Sequence, residues 1–527
     1  MLELLRERER QGDARYRGLA RAWHVVRIDY AIVFNLVLLA VILSLTFLVD
    51  ARGARFPFDE SYITLQFARN LGRFGRFTFD GVGSGFGLVS PLHAVLIYLL
   101  SLTGLRTAWS AMLLGTILLG LAGTYTYYWC KEVLASRRIA ALAGLLLVTS
   151  GWMVFDSAAG LETLLFVFLL MYALTLFERD RLWFGVPLAL LVATRADAWF
   201  FIIGLLAYGI IRYLAAWDLK RIGRIAIGFG ISAALLVPLL IVFRNTGNAL
   251  LPVREITRSY FAGEIGASAP AKLNLFYEGL HSWFLGLVMP FPFLIVVGLL
   301  FARRFWSRWY MFVTLGLFYA SYLLIAPGGV TRLLAGSQHL FLPFTMLAIA
   351  EGCFGLIRTA DSPRRRKLLT VVIIVLLSVN QLVSLVERRV TYVKSLALLD
   401  ESSANPTGFL RERTLPDQLV ATTMPGKVAW ASGRRVLDLS GRVDPEVMSW
   451  YRDPLTRQMV PLSRRDVVVY LRERTPDFLL IREEDKRPLN LDPDRLPEEF
   501  RLQAQGKPSY PLHTPSYLLY RSLRSRS

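Results

Sequence analysis

Long apolar runs alternate along the chain with short polar, mostly basic interruptions. Runs long enough to cross a bilayer core of roughly 30 Å recur through its first three quarters. They predict membrane helices at about 29–49, 108–130, 138–154, 163–177, 183–194, 198–213, 224–243, 283–301, 308–325, 339–357 and 368–386. The interruptions "RERER", "KEVLASRR", "ERDR", "RYLAAWDLKRIGR", "FARRFWSR" and "RTADSPRRRK" then all fall on the side of the N-terminus. Excess Lys and Arg marks cytoplasmic flanks, so residues 1–28 read as a cytoplasmic tail before a retained first helix. Eleven crossings put the C-terminus outside.

Three segments on the outer side stand out: 50–107, the short turn "FDSAAGLET", and 244–282. Within the first, "SPLHAVLIYLLSLTG" is short for a span and reads as an interfacial helix; as a span it would flip every later basic cluster. After about residue 387 the pattern changes to short β-branched runs, turn residues and one helical stretch. A tail of this length can bury its own core. The expected architecture is a polytopic α-helical membrane protein of about eleven transmembrane helices (29–386) with a C-terminal α/β periplasmic domain (387–527).

Composition supports this reading. The 527 residues are 54% hydrophobic and 13% aromatic, more apolar than soluble domains usually are. The net charge of +20 is spread as short clusters between apolar runs, which fits helix flanks better than nucleic-acid binding. Cys130 and Cys353 both lie in apolar segments, so neither a disulfide framework nor a thiolate metal site is supported.

The candidate chemistry sits on the outer side. In "FPFDESYITLQFARNLGRFG" (56–75), Asp59 and Glu60 stand together directly after the first span. One reading makes Asp59 the cap of its own interfacial helix, with Glu60 at the positive end of that helix. The other makes them catalytic carboxylates, since low-dielectric surroundings raise a carboxyl pKa into the range of a useful base. Glu162, at the outer end of an apolar helix, is either a helix-start acid or a site residue. In "ATRADAWFF", Arg195 and Asp197 either neutralise each other or mark a broken hairpin at a cavity, where a guanidinium suits phosphate. Arg254, Arg258 and Arg332 add positive charge outside and make an anionic ligand there plausible. His93 and His339 read as packing or interfacial residues, with no metal-ligand spacing. No P-loop or dinucleotide fingerprint occurs.

In order, "FDESYITLQFARNLGRFGRFTFDG…GFGLVSPL", "GLETLLF", "TRADAWF", "LLP" and "SGRRVLDLSGRVDP" resemble the motifs of bacterial GT-C glycosyltransferases, in particular the terminal arabinofuranosyltransferase branch of actinobacterial envelopes. That branch carries a first-loop pattern like D-D-A-[FY]-I, where this chain has Asp59, Glu60, Ser61, Tyr62 and Ile63. Glu60 in place of a second Asp is also similar to protein O-mannosyltransferases; the chain further departs in "GLVSPL", which lacks a Thr before "SPL", and in Val253 after "LLP".

The resemblance implies transfer of a sugar, a pentose such as arabinofuranose or a hexose, from a polyprenyl-phosphate donor to a glycan, lipid or protein hydroxyl outside a bacterial plasma membrane. It implies Asp59 as general base and Glu60 as its helper, Arg195, Arg258 and Arg332 toward the donor phosphate, and Tyr62, Glu162, Asp197 and His93 shaping the site. A divalent cation, Mg or Ca, would suit the phosphate, although no spacing demands one. The expected partners are the lipid-linked donor, the acceptor and membrane lipids. The rival readings are a transporter or flippase of lipid-linked saccharide, and a noncatalytic envelope assembly factor; polar residues concentrated in outer loops and the absence of internal inverted repeats weigh against transport.

Overall fold

The computed structural model describes residues 14–50, 54–81, 85–195, 198–245, a few positions between 294 and 317, 338–444, 446–447, 464–482, 500–505 and 517–522. The apolar runs fold as helices because a helix satisfies its own backbone where water is absent. In chain order these are α1 (Ala14–Asp50), α2 (Asp59–Phe74), α3 (Pro91–Ser101), α4 (Thr107–Leu134), α5 (Arg137–Thr149), α6 (Gly151–Ala159), α7 (Thr163–Glu178), α8 (Gly185–Thr194), α9 (Ala198–Ala215), α10 (Leu219–Asn245), α11 (Leu342–Thr359) and α12 (Pro363–Arg413).

Six spans among the described residues are long and apolar enough to cross a membrane: Ile28–Phe47, Thr107–Leu134, Ala198–Ala215, Leu219–Ile241, His339–Thr359 and Pro363–Asp400. The span expected at 138–154 is covered by two helices, α5 and α6, bent by 50° at Ser150, and the pair makes a seventh span if it crosses as one. The spans expected at 163–177 and 183–194 are the shorter α7 and α8. Those expected at 283–301 and 308–325 lie almost wholly outside the described residues. α4 runs through the middle of the bundle, packed by α1, α5 and α7. Side chains such as Phe34, Ile42 and Leu45 on α1 and Leu368, Val371 and Leu382 on α12 face outward, as a lipid-facing stripe requires.

Helix α12 continues through residue 387 to Arg413 and enters the C-terminal unit. There β1 (Leu419–Thr422), α13 (Pro425–Ser432), β2 (Arg435–Asp438), α14 (Arg464–Arg474), β3 (Phe478–Arg482), β4 (Phe500–Gln505) and β5 (Tyr517–Ser522) form a five-stranded sheet of order β2-β1-β3-β5-β4. β1 pairs parallel to β2 and β3, while β5 runs antiparallel to β3 and β4. Side chains alternate across a strand, so β3 feeds two cores. Leu479 and Ile481 meet Tyr470 and Leu471 of α14; Phe478 and Leu480 meet Val428 of α13 and Leu410 of α12. Phe86, from the segment after the first span, inserts into the α14 side. The sheet is thereby tied to the helical bundle from both faces.

Candidate active site

Helix α2 begins at Asp59, its N-cap is Phe58, and no side chain caps it. Asp59 therefore does not cap its own helix. Its carboxylate reaches α13 instead: Lys427 N–H donates to Oδ1 at 2.6 Å and Gly426 N–H to Oδ2 at 3.2 Å. These are first-turn amides with no partner inside α13, so Asp59 serves as the cap of a helix from the other unit. Gly426 makes the approach feasible, since a Cβ there would lie 2.2 Å from the Asp59 carbonyl oxygen.

Arg442 closes the arrangement. Its Nη1 lies 3.4 Å from Asp59 Oδ2 and 3.4 Å from Glu60 Oε1. The turn that presents it is shaped by Asp438, which accepts the backbone N–H groups of Ser440 and Val443 at 2.8 and 2.7 Å. Gly87, at φ +87°, lets the first loop lie against this turn, because a Cβ would fall 2.3 Å from the Arg442 carbonyl oxygen. Burial pushes the Asp59 carboxyl up to about 6; Arg442 and the two amides oppose this, and the neighbouring Glu60 adds to it.

Around this pair, Lys427 Nζ donates to Tyr62 Oη at 3.0 Å and bridges to Asp400 Oδ1 at 3.0 Å. Arg55 holds the other Asp400 oxygen at 2.5 Å. Burial opposes the charge on Lys427, yet Tyr62 and Asp400 hold its pKa above the ordinary value. Tyr62 Oη also accepts the Phe56 N–H at 3.0 Å. Ser61 Oγ donates to the Ala159 carbonyl at 2.6 Å, and Tyr392 of α12 reaches the carbonyls of Arg55 and Ala158. The acid pair is thus fixed to α6, α12 and α13 together.

The structure places Glu162 and Arg195 beside each other, Nη1 to Oε1 at 3.4 Å, both largely buried. His93 lies within electrostatic range of Glu162, but burial pushes its imidazole down to about 4, so it is neutral near pH 7. Asp197, Arg254, Arg258 and Arg332 lie outside the described residues. Among the described residues, no group of three or more His, Cys, Asp or Glu side chains is placed to hold a metal ion.

Sequence reasoning did not single out Lys427, Asp400, Arg442 or the contact of Asp59 with α13. Arg442 sits in the quoted "SGRVDP", and that turn directly after a β-branched run was the available signal. His339, expected as a packing or interfacial residue, places its Nδ1 2.6 Å from Asp156 Oδ2.

The described chain is thus a helical bundle with several short helices, an acid pair at the start of one of them and an appended α/β unit. Solved structures share this fold. ArnT from Cupriavidus metallidurans bound to undecaprenyl phosphate superposes with a TM-score of 0.54 at 12% identity, covering 95% of this chain and 98% of that one. The archaeal oligosaccharyltransferase AglB from Archaeoglobus fulgidus, in complex with an inhibitory peptide and a dolichol-phosphate, gives 0.54 at 12% identity, covering 87% of this chain and 70% of the other. The apo form of the Archaeoglobus enzyme gives 0.55 at 12% identity, covering 86% and 69%. Residues 397–520 match a family model described as a domain of unknown function, DUF8728. A search of the curated proteins finds no significant match.

Proposed function

We propose that the protein is a membrane glycosyltransferase that moves a sugar from a polyprenyl-phosphate donor to a hydroxyl of an extracytoplasmic envelope acceptor, with inversion. The observation that carries this reading is Asp59, a buried carboxylate with its pKa raised to about 6, at the junction of bundle and α/β unit in a fold shared with ArnT and AglB. The neighbours contribute the class of donor, since their bound molecules are lipid phosphates.

In this mechanism the acceptor oxygen forms a bond to the anomeric carbon while Asp59 takes the hydroxyl proton. The bond from that carbon to the phosphate oxygen breaks, and its electron pair leaves with polyprenyl phosphate. Each carboxylate oxygen has a second lone pair, so a carboxylate held by two amides still has room for the proton. Arg442 and the amides at the start of α13 keep Asp59 ionised at neutral pH and fix its direction. Glu60 orients the acceptor. Arg195, paired with Glu162, and the sequence candidates Arg258 and Arg332 supply further positive charge toward the donor. A pentose such as arabinofuranose, or a hexose, fits this scheme equally.

The test is sugar transfer by protein in lipid nanodiscs, offered a panel of polyprenyl-phosphate sugars and envelope-derived acceptors. Wild type turns over, and Asp59→Asn loses about 10²–10⁴-fold in kcat with a preserved thermal melt. A folded Asp59→Asn variant with wild-type turnover removes Asp59 as the base. Movement of intact lipid-linked sugar across the bilayer without transfer would favour the flippase reading.

A further inference from the structure

A second buried polar cluster lies within the bundle, and the acid pair makes no use of it. His339, at the start of the span His339–Thr359, holds Asp156 of α6 at 2.6 Å through Nδ1, with side chains only 7% and 2% exposed. The His339 ring lies 4.3 Å from the Trp152 ring, and the Arg388 guanidinium carbon 3.5 Å from it. His339 and Arg388 are therefore separated by no more than one indole. Arg388 Nη2 pairs with Glu387 at 3.1 Å, and Asp156 acts on the Arg388 charge from within the cluster. His339 Nε2 and Arg388 Nε are buried without a hydrogen-bond partner among the described residues.

Two buried nitrogens without partners thus stand in one cluster, whereas buried polar atoms are nearly always satisfied. Ionisable side chains within a membrane bundle are costly and mark ligand paths. Their height narrows the ligand. From Leu368 to Val386, α12 carries no charged residue, a length of about 28 Å that matches the hydrocarbon core of roughly 30 Å. Glu387, Arg388 and Arg389 then mark the lipid boundary, the level at which a lipid phosphate lies. The acid pair stands just beyond: Tyr392, one turn past Arg388, bonds the carbonyls of Arg55 and Ala158, and Ala159 accepts Ser61.

We infer that His339 Nε2 and Arg388, set by Asp156 and Trp152, form the seat for the phosphate of a polyprenyl-phosphate lipid. This rests on the glycosyl-transfer reading for the identity of the lipid, and it gives the donor phosphate a place distinct from the Arg195–Glu162 pair. Asp156 fixes the imidazole so that Nε2 is the end left to the ligand. The Arg388 guanidinium, packed on the same Trp152 ring, supplies directed donors to phosphate oxygens. Held at this level, the phosphate would leave its sugar between the lipid boundary and Asp59.

The experiment is equilibrium binding of radiolabelled decaprenyl phosphate to the full chain in nanodiscs, with decaprenol and inorganic phosphate as competitors. Wild type binds the phosphate lipid, and neither competitor displaces it. His339→Asn can keep the bond to Asp156 but loses the Nε2 end, and it weakens binding at least tenfold. Arg388→Met does the same. His339→Gln, whose longer side chain brings an amide nitrogen to the Nε2 position, retains binding within about threefold.

Wild-type affinity in folded His339→Asn overturns the inference, as does equal loss in the Asn and Gln variants, which would make the ring a packing element only. Displacement by inorganic phosphate overturns the lipid identity. If no sugar is ever transferred yet this pattern holds, the transfer reading falls and the phosphate seat stands. If transfer and lipid binding both continue unchanged in His339→Asn, only the seat falls.

Discussion

Asp59 and Asp156 are both buried carboxylates at the same end of the bundle, and they are held in opposite ways. Asp59 is gripped by backbone amides and an arginine that all come from the α/β unit, hundreds of residues away. Asp156 is held by His339 at the start of a neighbouring span, inside the bundle. Amides and a guanidinium cannot accept the proton of a carboxyl, so they leave Asp59 a carboxylate aimed by its surroundings. An imidazole has a second nitrogen, so pairing it with Asp156 passes the polarity on to a third party. The first arrangement depends on two units being docked; the second does not.

The docking contact is the place to break this contrast. Gly426→Val puts side-chain carbon where the Asp59 carbonyl now lies, 2.2 Å from the Cβ position. The overpacking costs about 1–3 kcal/mol and lifts α13 off the carboxylate. Transfer falls by at least about 10²-fold, while binding of the phosphate lipid at His339 is retained; comparing turnover with lipid binding checks this. Arg442→Gln removes a cation that lowers the Asp59 pKa. In wild type, transfer declines as the pH falls through about 6, because Asp59 must be ionised to accept a proton. Without Arg442 that limb moves to higher pH by about one unit, read from kcat/KM against pH. Arg195→Gln has the smallest effect, a rise in donor KM of no more than about fivefold. An effect exceeding that of His339→Asn would move the phosphate to the Glu162 side.

Much of the bundle was legible because apolar run length and basic flanks are local signals. The bend at Ser150 was not, since "LLLVTSGWMVF" is apolar throughout and nothing in its periodicity marks a break. The acid pair was visible as two charges next to a span, but its partner was hidden. Asp59 in front of "ESYITLQF" looked like the cap of that helix, and the helix it caps begins at Pro425. Contacts between residues so far apart leave no trace in spacing. Lys427 and Asp400 were similarly silent, each an ordinary charge in a polar stretch until the fold brings them to Tyr62. His339 had no signal at all, because the residue that gives it meaning, Asp156, sits on a different helix.

The 51-residue helix α12 joins all of these parts. It carries the lipid-facing stripe, then Arg388, then Tyr392, then Asp400, and finally Leu410 in the core of the α/β unit. From Glu387 to Asp400 it rises by about 20 Å without leaving the helix. It therefore works as a gauge rod. The clearance between the oily boundary and the acid pair is written into one continuous stretch of backbone, and bilayer anchorage at one end sets the alignment of the bridge from Asp400 to Lys427 at the other.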